Sequence, residues 1–176
     1  MVEEARRLGG LSEASGVRAR LLGGVGVALH AHGPIPGPLT RSYGDLDYVV
    51  GRADGPIFRR LLEASGYEPN ERFNALHGHR RLLHYDLANG RQVDTFVGSF
   101  KMCHALEFGG RFPATGLSIA PVDLLLTKLQ IIQVNDKDLR DVLVLLGDHP
   151  IGSGPEAIDP IQLAAIVGND WGWHTT

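Results

Sequence analysis

The sequence predicts an α+β fold with mixed α/β order, on three observations. Apolar residues recur at helical spacing in several segments, above all after residue 120. Asp45 to Val50 alternates at strand period and ends β-branched. Leu82 to Leu87 and Gln92 to Val97 flank Asn89-Gly90, the dipeptide of a two-residue type I′ hairpin.

The elements follow in order. Val2, Ala5 and Leu8 share one side of an opening helix, which Gly9-Gly10 is expected to break, with Ser12 as the cap of a second piece. Leu21-Leu22 runs into Gly23-Gly24-Val25-Gly26 and a short apolar helix through Leu29. The Pro-rich Gly33 to Pro38 cannot continue that helix and leads to the strand at Asp45. Asp54-Gly55-Pro56 opens a helix with Ile57, Leu61 and Leu62 as its apolar side, and Gly66 ends it. After the hairpin, Ala120-Pro121 starts a helix with the stripe Val122, Leu125, Leu126, Leu129 and Ile132. Asp136 is expected to cap the next, with Leu139, Val142, Leu143 and Leu146 buried. Asp159-Pro160 begins a last short helix ending near Gly168. Residues 1–150 are expected to form one domain, helical from about 121, with 151–176 a linker and short helix packed on it.

The composition narrows the function classes. With 176 residues, 43% of them hydrophobic, the chain can bury roughly 70% of its unfolded surface without disulfides or a structural metal. The net charge of −3 lacks the basic excess of a protein held by nucleic-acid phosphates, so an extended nucleic-acid surface is not indicated. The one long uncharged run, Leu21 to Thr40, holds five Gly and three Pro and is no transmembrane helix, so no membrane partner is expected. A lone Cys103 and no apolar stretch in Met1 to Gly10 point to a reducing, cytoplasmic setting. Lys occurs three times against fourteen Arg, which makes each Lys worth locating.

The chemistry concentrates around Asp45 and Asp47. On a strand their side chains share one face, with α-carbons roughly 6.5–7 Å apart. Two carboxylates so placed repel unless a cation lies between them, and hard oxygen ligands suit Mg²⁺. Gln92, Asp94 and Phe96 share one face of the hairpin strand, so Asp94 can supply a third carboxylate. Three acids on two strands can build a two-metal site for in-line displacement at phosphorus. The pair alone reads equally as edge residues bonded to Arg41 or Arg91. Gly23-Gly24, between a strand and a helix N-terminus, offers backbone N–H groups to a phosphate, and Arg41 adds a permanent positive charge. The histidines His30, His32, His77, His79 and His84 match no zinc spacing and read as surface or hydrogen-bonded groups. Trp171 and Trp173 read as sealing a helix or an interface.

Leu22-Gly23-Gly24-Val25-Gly26-Val27-Ala28-Leu29, then Thr40-Arg41-Ser42-Tyr43-Gly44-Asp45-Leu46-Asp47, then Val93-Asp94-Thr95-Phe96 together resemble the polymerase-β-type nucleotidyltransferase superfamily. The first two blocks are similar to lincosamide and aminoglycoside adenylyltransferases. Lys137-Asp138-Leu139-Arg140-Asp141 is similar to the Lys-Asp-x-x-Asp motif of nucleotidyltransferase toxins of type IV toxin–antitoxin systems. The resemblance covers roughly residues 15–148. It departs from the family in the long gap from Gly24 to Asp45, which holds the Pro-rich insert, and in Gly44, where Ser or His is common.

The resemblance implies a short mixed sheet flanked by helices, with Asp45 and Asp47 holding Mg²⁺ on an NTP, in the first instance ATP. Asp94 would be a metal ligand or the base that activates an acceptor hydroxyl. Gly23 and Gly24 would cradle the triphosphate beside Thr40 and Arg41, and Lys128 and Lys137 would face the nucleotide. The acceptor stays open between a small molecule such as an antibiotic, an RNA and a protein. A homodimer or an antitoxin are the protein partners in view, and a catalytically silent nucleotide-binding module is the competing function.

Overall fold

The computed structural model describes residues 1–176, with residues 110 and 174 described by their backbone alone. Helix α1 (Val2–Ala14) precedes strand β1 (Ala19–Leu22), helix α2 (Gly23–His30), a 3₁₀ turn (Gly37–Leu39), strand β2 (Asp45–Val50) and helix α3 (Gly55–Ala64). Then come β3 (Glu68–Pro69), α4 (Glu71–His77), β4 (Arg81–Asp86), β5 (Arg91–Val97), β6 (Ser99–Lys101) and β7 (Ala105–Glu107). Helices α5 (Pro121–Leu129), α6 (Asp136–Asp148), α7 (Pro160–Val167) and α8 (Trp171–Thr175) complete the chain. Five strands form one mixed sheet in the order β1-β2-β5-β4-β3, with β2 and β5 parallel and the other pairs antiparallel. The free edge of β1 is covered by residues 117–119, through Leu21 N–H to Leu117 O (2.7 Å) and Ile119 N–H to Leu21 O (3.0 Å).

Each face of the sheet has its own core. Leu46, Tyr48, Val50, Leu82 and Val93 pack under Ala5 and Leu8 of α1 and Phe58 and Leu62 of α3. On the other face Leu22, Val49 and Phe96 meet Leu124, Leu125 and Leu126 of α5, Val144 and Leu145 of α6, and Phe100 and Leu106 of the β6–β7 ribbon. The second face carries Asp45, Asp47 and Asp94 toward its end, so the apolar packing of α5 and α6 stops where the carboxylates begin.

Several sequence expectations need correction. Helix α1 runs unbroken through Gly9-Gly10, because Gly9 packs so closely on Leu117 that a Cβ would overlap its Cδ2. Ser12 is buried within that helix and donates to Val17 O (3.1 Å) rather than capping anything. The hairpin loop is four residues, 87–90, and not a type I′ pair, since Gly90 is left-handed (φ 63°) and Asn89 is not. Asp86 replaces the expected turn chemistry by accepting from Asn89 N–H (3.1 Å) and Nδ2 (2.7 Å). The cap of α6 is Asn135, whose Oδ1 accepts from Lys137 N–H and Asp138 N–H, and not Asp136.

The largest correction concerns which side of α6 is buried. Leu139, Leu143 and Leu146 are exposed, while Asp138, Asp141, Val144 and Leu145 face inward. Ion pairing explains this: Lys128 and Arg41 wait on the inner side for Asp138 and Asp141, and the helix turns its acids to them. Leu129, the last residue of α5, and Ile132, beyond its end, are exposed as well. Helix α4, strand β3, the β6–β7 ribbon and α8 carry no clear period in the sequence and were not expected. Among the described residues no helix is long and apolar enough to cross a membrane.

Candidate active site

Strand pairing brings the carboxylates together. Asp47 and Asp94 are direct partners across the parallel β2–β5 ladder, and Asp45 stands opposite Gln92 two pairs along. Leu22, the last residue of β1, pairs with Asp47 on the other side, so the chain enters α2 beside the acids. Gly23 makes that entry with a left-handed backbone (φ 65°), and a Cβ there would collide with Asp47 Oδ2. A Cβ on Gly24 would likewise collide with the Arg41 guanidinium. Both glycines are therefore set by close approach of functional side chains. No side chain caps α2, so the N–H groups of its first turn are free to meet an anion.

A cleft of 390 Å³ opens over these groups, lined by Gly23, Asp45, Asp47, Asp94, Lys128 and Asp138, with Arg81, Gln92 and Asn135 at its sides. Asp47 is partly buried, and burial first, then the neighbouring charges of Asp45 and Asp94, push its carboxyl up to about 7. That is the signature of a carboxylate short of a cation. Asp94, 3% exposed, is held by Arg81 through Nε to both carboxylate oxygens (2.8 and 3.0 Å) and through Nη2 to Oδ2.

A second charged group closes the back of the cleft. Arg41 donates from Nε and Nη2 to the two oxygens of Asp141 (2.8 and 2.7 Å) and lies over the Tyr43 ring (4.7 Å). Lys128 Nζ, nearly buried, reaches Asp138 Oδ1 (2.9 Å) and Asp141 Oδ2 (2.8 Å). Burial alone would raise Asp141, but the two cations hold its carboxyl below the usual range.

The structure thus brings Gly23, Asp45, Asp47, Asp94 and Lys128 to one cleft, with Gly24 and Arg41 packed behind it. It does not bring Lys137, which is exposed and outside the cleft lining. Thr40 is also spent elsewhere: its Oγ1 donates to Gly37 O (2.6 Å) and its carbonyl accepts from Arg140 (2.9 Å). Arg81 was missed by sequence reasoning, yet the hairpin register pairs it with Phe96, diagonal to Asp94 on the same face. Asp138 and Asp141 were missed as partners of Lys128 and Arg41, because only the orientation of α6 reveals it.

The donor set suits a divalent cation at Asp45 and Asp47, whose mutual repulsion a metal would relieve. Asp94 has an arginine on it already. The three aspartates do not converge as tightly as a ready-made three-ligand cluster.

No family model and no curated protein sequence matches the chain. Solved structures do. The lincomycin-bound lincosamide antibiotic adenylyltransferase LnuA is similar over 77% of this chain and 90% of its own, with a TM-score of 0.53 and 16% identity. An antigenic nucleotidyltransferase-like protein from Paracoccidioides brasiliensis is similar over 99% of this chain and 90% of its own, with a TM-score of 0.52 and 14% identity. The likeness shows a nucleotidyltransferase-like fold, the mixed sheet with flanking helices that the sequence led us to expect.

Proposed function

We propose that the protein transfers a nucleotidyl group from an NTP to a hydroxyl acceptor, releasing pyrophosphate. The observation that carries this is the wedge of Asp47 against Gly23: an electrostatically strained carboxylate touches the entry to an uncapped helix, in a cleft shared with Asp45 and Asp94. This arrangement would set a cation and a phosphate side by side.

Asp45 and Asp47 would hold Mg²⁺, which when bound supplies neutralisation of triphosphate charge. The first turn of α2 would receive phosphate oxygens, with Arg41 and Lys128 behind it, their charge balanced by Asp138 and Asp141. Asp94 would accept the acceptor's proton as the hydroxyl oxygen bonds the α-phosphorus and the bond to pyrophosphate breaks. Arg81 occupies part of Asp94 and fixes the orientation of the rest, acting as a positioning residue. ATP is the first nucleotide to test, because the LnuA neighbour is an adenylyltransferase. The acceptor is a small-molecule, RNA or protein hydroxyl, and the reaction belongs in the cytoplasm.

Transfer of α-labelled ATP into an extract of RNA, protein and small molecules tests this directly. Asp45→Asn should abolish transfer with an unchanged circular-dichroism spectrum, and full activity in that variant would sink the assignment. One observation favours a second reading, a nucleotide-binding module without turnover: the bidentate hold of Arg81 on Asp94. Mg²⁺-dependent ATP binding by calorimetry with no pyrophosphate release against any acceptor would select it.

A further inference from the structure

At the opposite ends of α2 and α6 from the carboxylate cleft, three segments bring imidazole and carboxylate groups together. His30 ends α2 and His32 follows it, His149 follows the last turn of α6, and Glu156 sits in the 150–158 loop that an Ile151–Ile158 bridge closes. One ligand atom each of His32, His149 and Glu156 lies within 4.8 Å of the other two. Among the described residues this is the single such group of three.

His149 supplies the independent observation. Its ring is 5% exposed, and Nδ1 lies 2.8 Å from the Glu156 carbonyl oxygen. A carbonyl only accepts, so Nδ1 carries the hydrogen and Nε2 presents its lone pair. That Nε2 is buried and has no hydrogen-bond partner. A buried imidazole nitrogen left so is unfavourable unless something binds it. The backbone bond at Nδ1 is also the support that metal-binding histidines use to fix tautomer and ring direction.

The other two groups stand beside the ring. The His32 ring lies 4.9 Å from the His149 ring, edge on, and His32 Nε2 is 3.9 Å from Glu156 Oε2. His30 lies against the Glu156 carboxylate through Nδ1 (3.2 Å) and against Ile119 O through Nε2 (3.0 Å), two acceptors of which a neutral ring serves one at a time. Tetrahedral ligands around zinc stand about 3.4 Å apart, so small side-chain movements of exposed His32 and Glu156 complete the geometry. The group borders a cavity of 570 Å³ lined in part by His30, His32 and Glu156, which leaves a fourth position for solvent.

We propose that His32, His149 and Glu156 form a binding site for Zn²⁺, with water in the fourth position and His30 positioning the carboxylate. Two nitrogens and one oxygen suit zinc and disfavour Mg²⁺, so the site is chemically distinct from the aspartate cleft. Metal there would clip the start of the Pro-rich insert to the C-terminal end of α6. The other end of the insert leads to Arg41, which α6 already holds through Asp141.

The test is zinc affinity of the full chain by competition with a chromophoric chelator, together with the visible spectrum and X-ray absorption of the Co²⁺ form. One equivalent should bind below micromolar Kd, with tetrahedral Co²⁺ bands and imidazole scattering. The His32→Ala/Glu156→Gln double variant alters exposed side chains, keeps the His149 backbone bond, and should weaken zinc at least tenfold and lose the zinc-dependent rise in Tm. Asp45→Asn should bind zinc as the unmodified chain does. Equal affinity in the double variant, loss of zinc in Asp45→Asn, or absence of imidazole scattering would each overturn the site.

Discussion

Replacing Asp47 with Asn should stabilise the metal-free protein, by an amount that grows as pH rises from about 4 to about 7 and is constant above. The Asp47 carboxyl is raised from 3.8 to about 7 by burial and by Asp45 and Asp94. Below pH 3.8 it is protonated in both folded and unfolded chains and contributes no difference. Between pH 3.8 and 7 the unfolded chain has lost the proton that the folded chain keeps, so stability falls by about 1.4 kcal/mol per pH unit. Above pH 7 both are ionised and the penalty is constant, at most about 4 kcal/mol. Water reaching the partly exposed carboxylate screens some of this, leaving about 2 kcal/mol. Asn keeps the shape and removes the charge. For a chain of this length the gain is roughly 4–8 °C in Tm at pH 8 and close to nothing at pH 4. Urea unfolding at pH 4, 6 and 8 in EDTA measures it. Added Mg²⁺ at pH 8 should stabilise the unmodified protein and not the variant, since the cation relieves the same repulsion. A variant no more stable at pH 8 than its parent, or equally stabilised at every pH, would refute the electrostatic account of Asp47.

Three further outcomes follow from the same geometry. Gly23→Ala places a Cβ in Asp47 Oδ2 and strains a left-handed backbone, and should cost about 1–3 kcal/mol in urea unfolding and abolish Mg²⁺-dependent ATP binding by calorimetry. Lys128→Met leaves Asp138 without its cation and Asp141 with Arg41 alone, costing about 3 kcal/mol at pH 7. Because the folded Asp141 carboxyl lies below its usual value, that cost should shrink as pH falls through the carboxylate range, as thermal melts at pH 7 and pH 3 would report. Leu143→Gln should change stability by no more than about 0.5 kcal/mol while Val144→Ala costs about 2 kcal/mol, and the reverse order in chemical denaturation would contradict the orientation of α6.

How much of this was legible in the sequence depended on whether neighbouring residues or distant ones decide the outcome. Strand alternation alone placed Asp45 with Asp47, and the hairpin brought Asp94 onto β5, because period and pairing are local. Gly23-Gly24 could be located but not explained, since what forbids a Cβ there is Asp47 and Arg41 arriving from other elements. Lys137 and Thr40 were chosen by motif position, and the motif does not encode which way a helix or a 3₁₀ turn faces. Arg81 needed the true hairpin register, and the expected two-residue turn misplaces it: with Asn89-Gly90 alone as the loop, Leu83 and not Arg81 would stand opposite Phe96.

The orientation of α6 shows why an apolar stripe can fail as a guide. Leu139, Leu143 and Leu146 offer one side to a core, and Asp138, Asp141, Val144 and Leu145 offer another. Burying the leucines would gain about 2 kcal/mol for each side chain. It would also turn Asp138 and Asp141 away and leave Lys128, almost fully buried, and Arg41 behind the α2 entry without counter-ions. Stranding two such cations costs about 3–5 kcal/mol each, which matches or exceeds what three half-exposed leucines return. Val144 and Leu145 keep an apolar contact on the chosen side, so the charged orientation still anchors the helix. The same choice fixes Arg41 over Gly24 and Lys128 beside Asp47, so the electrostatics that set the helix also set the charge lining the cleft.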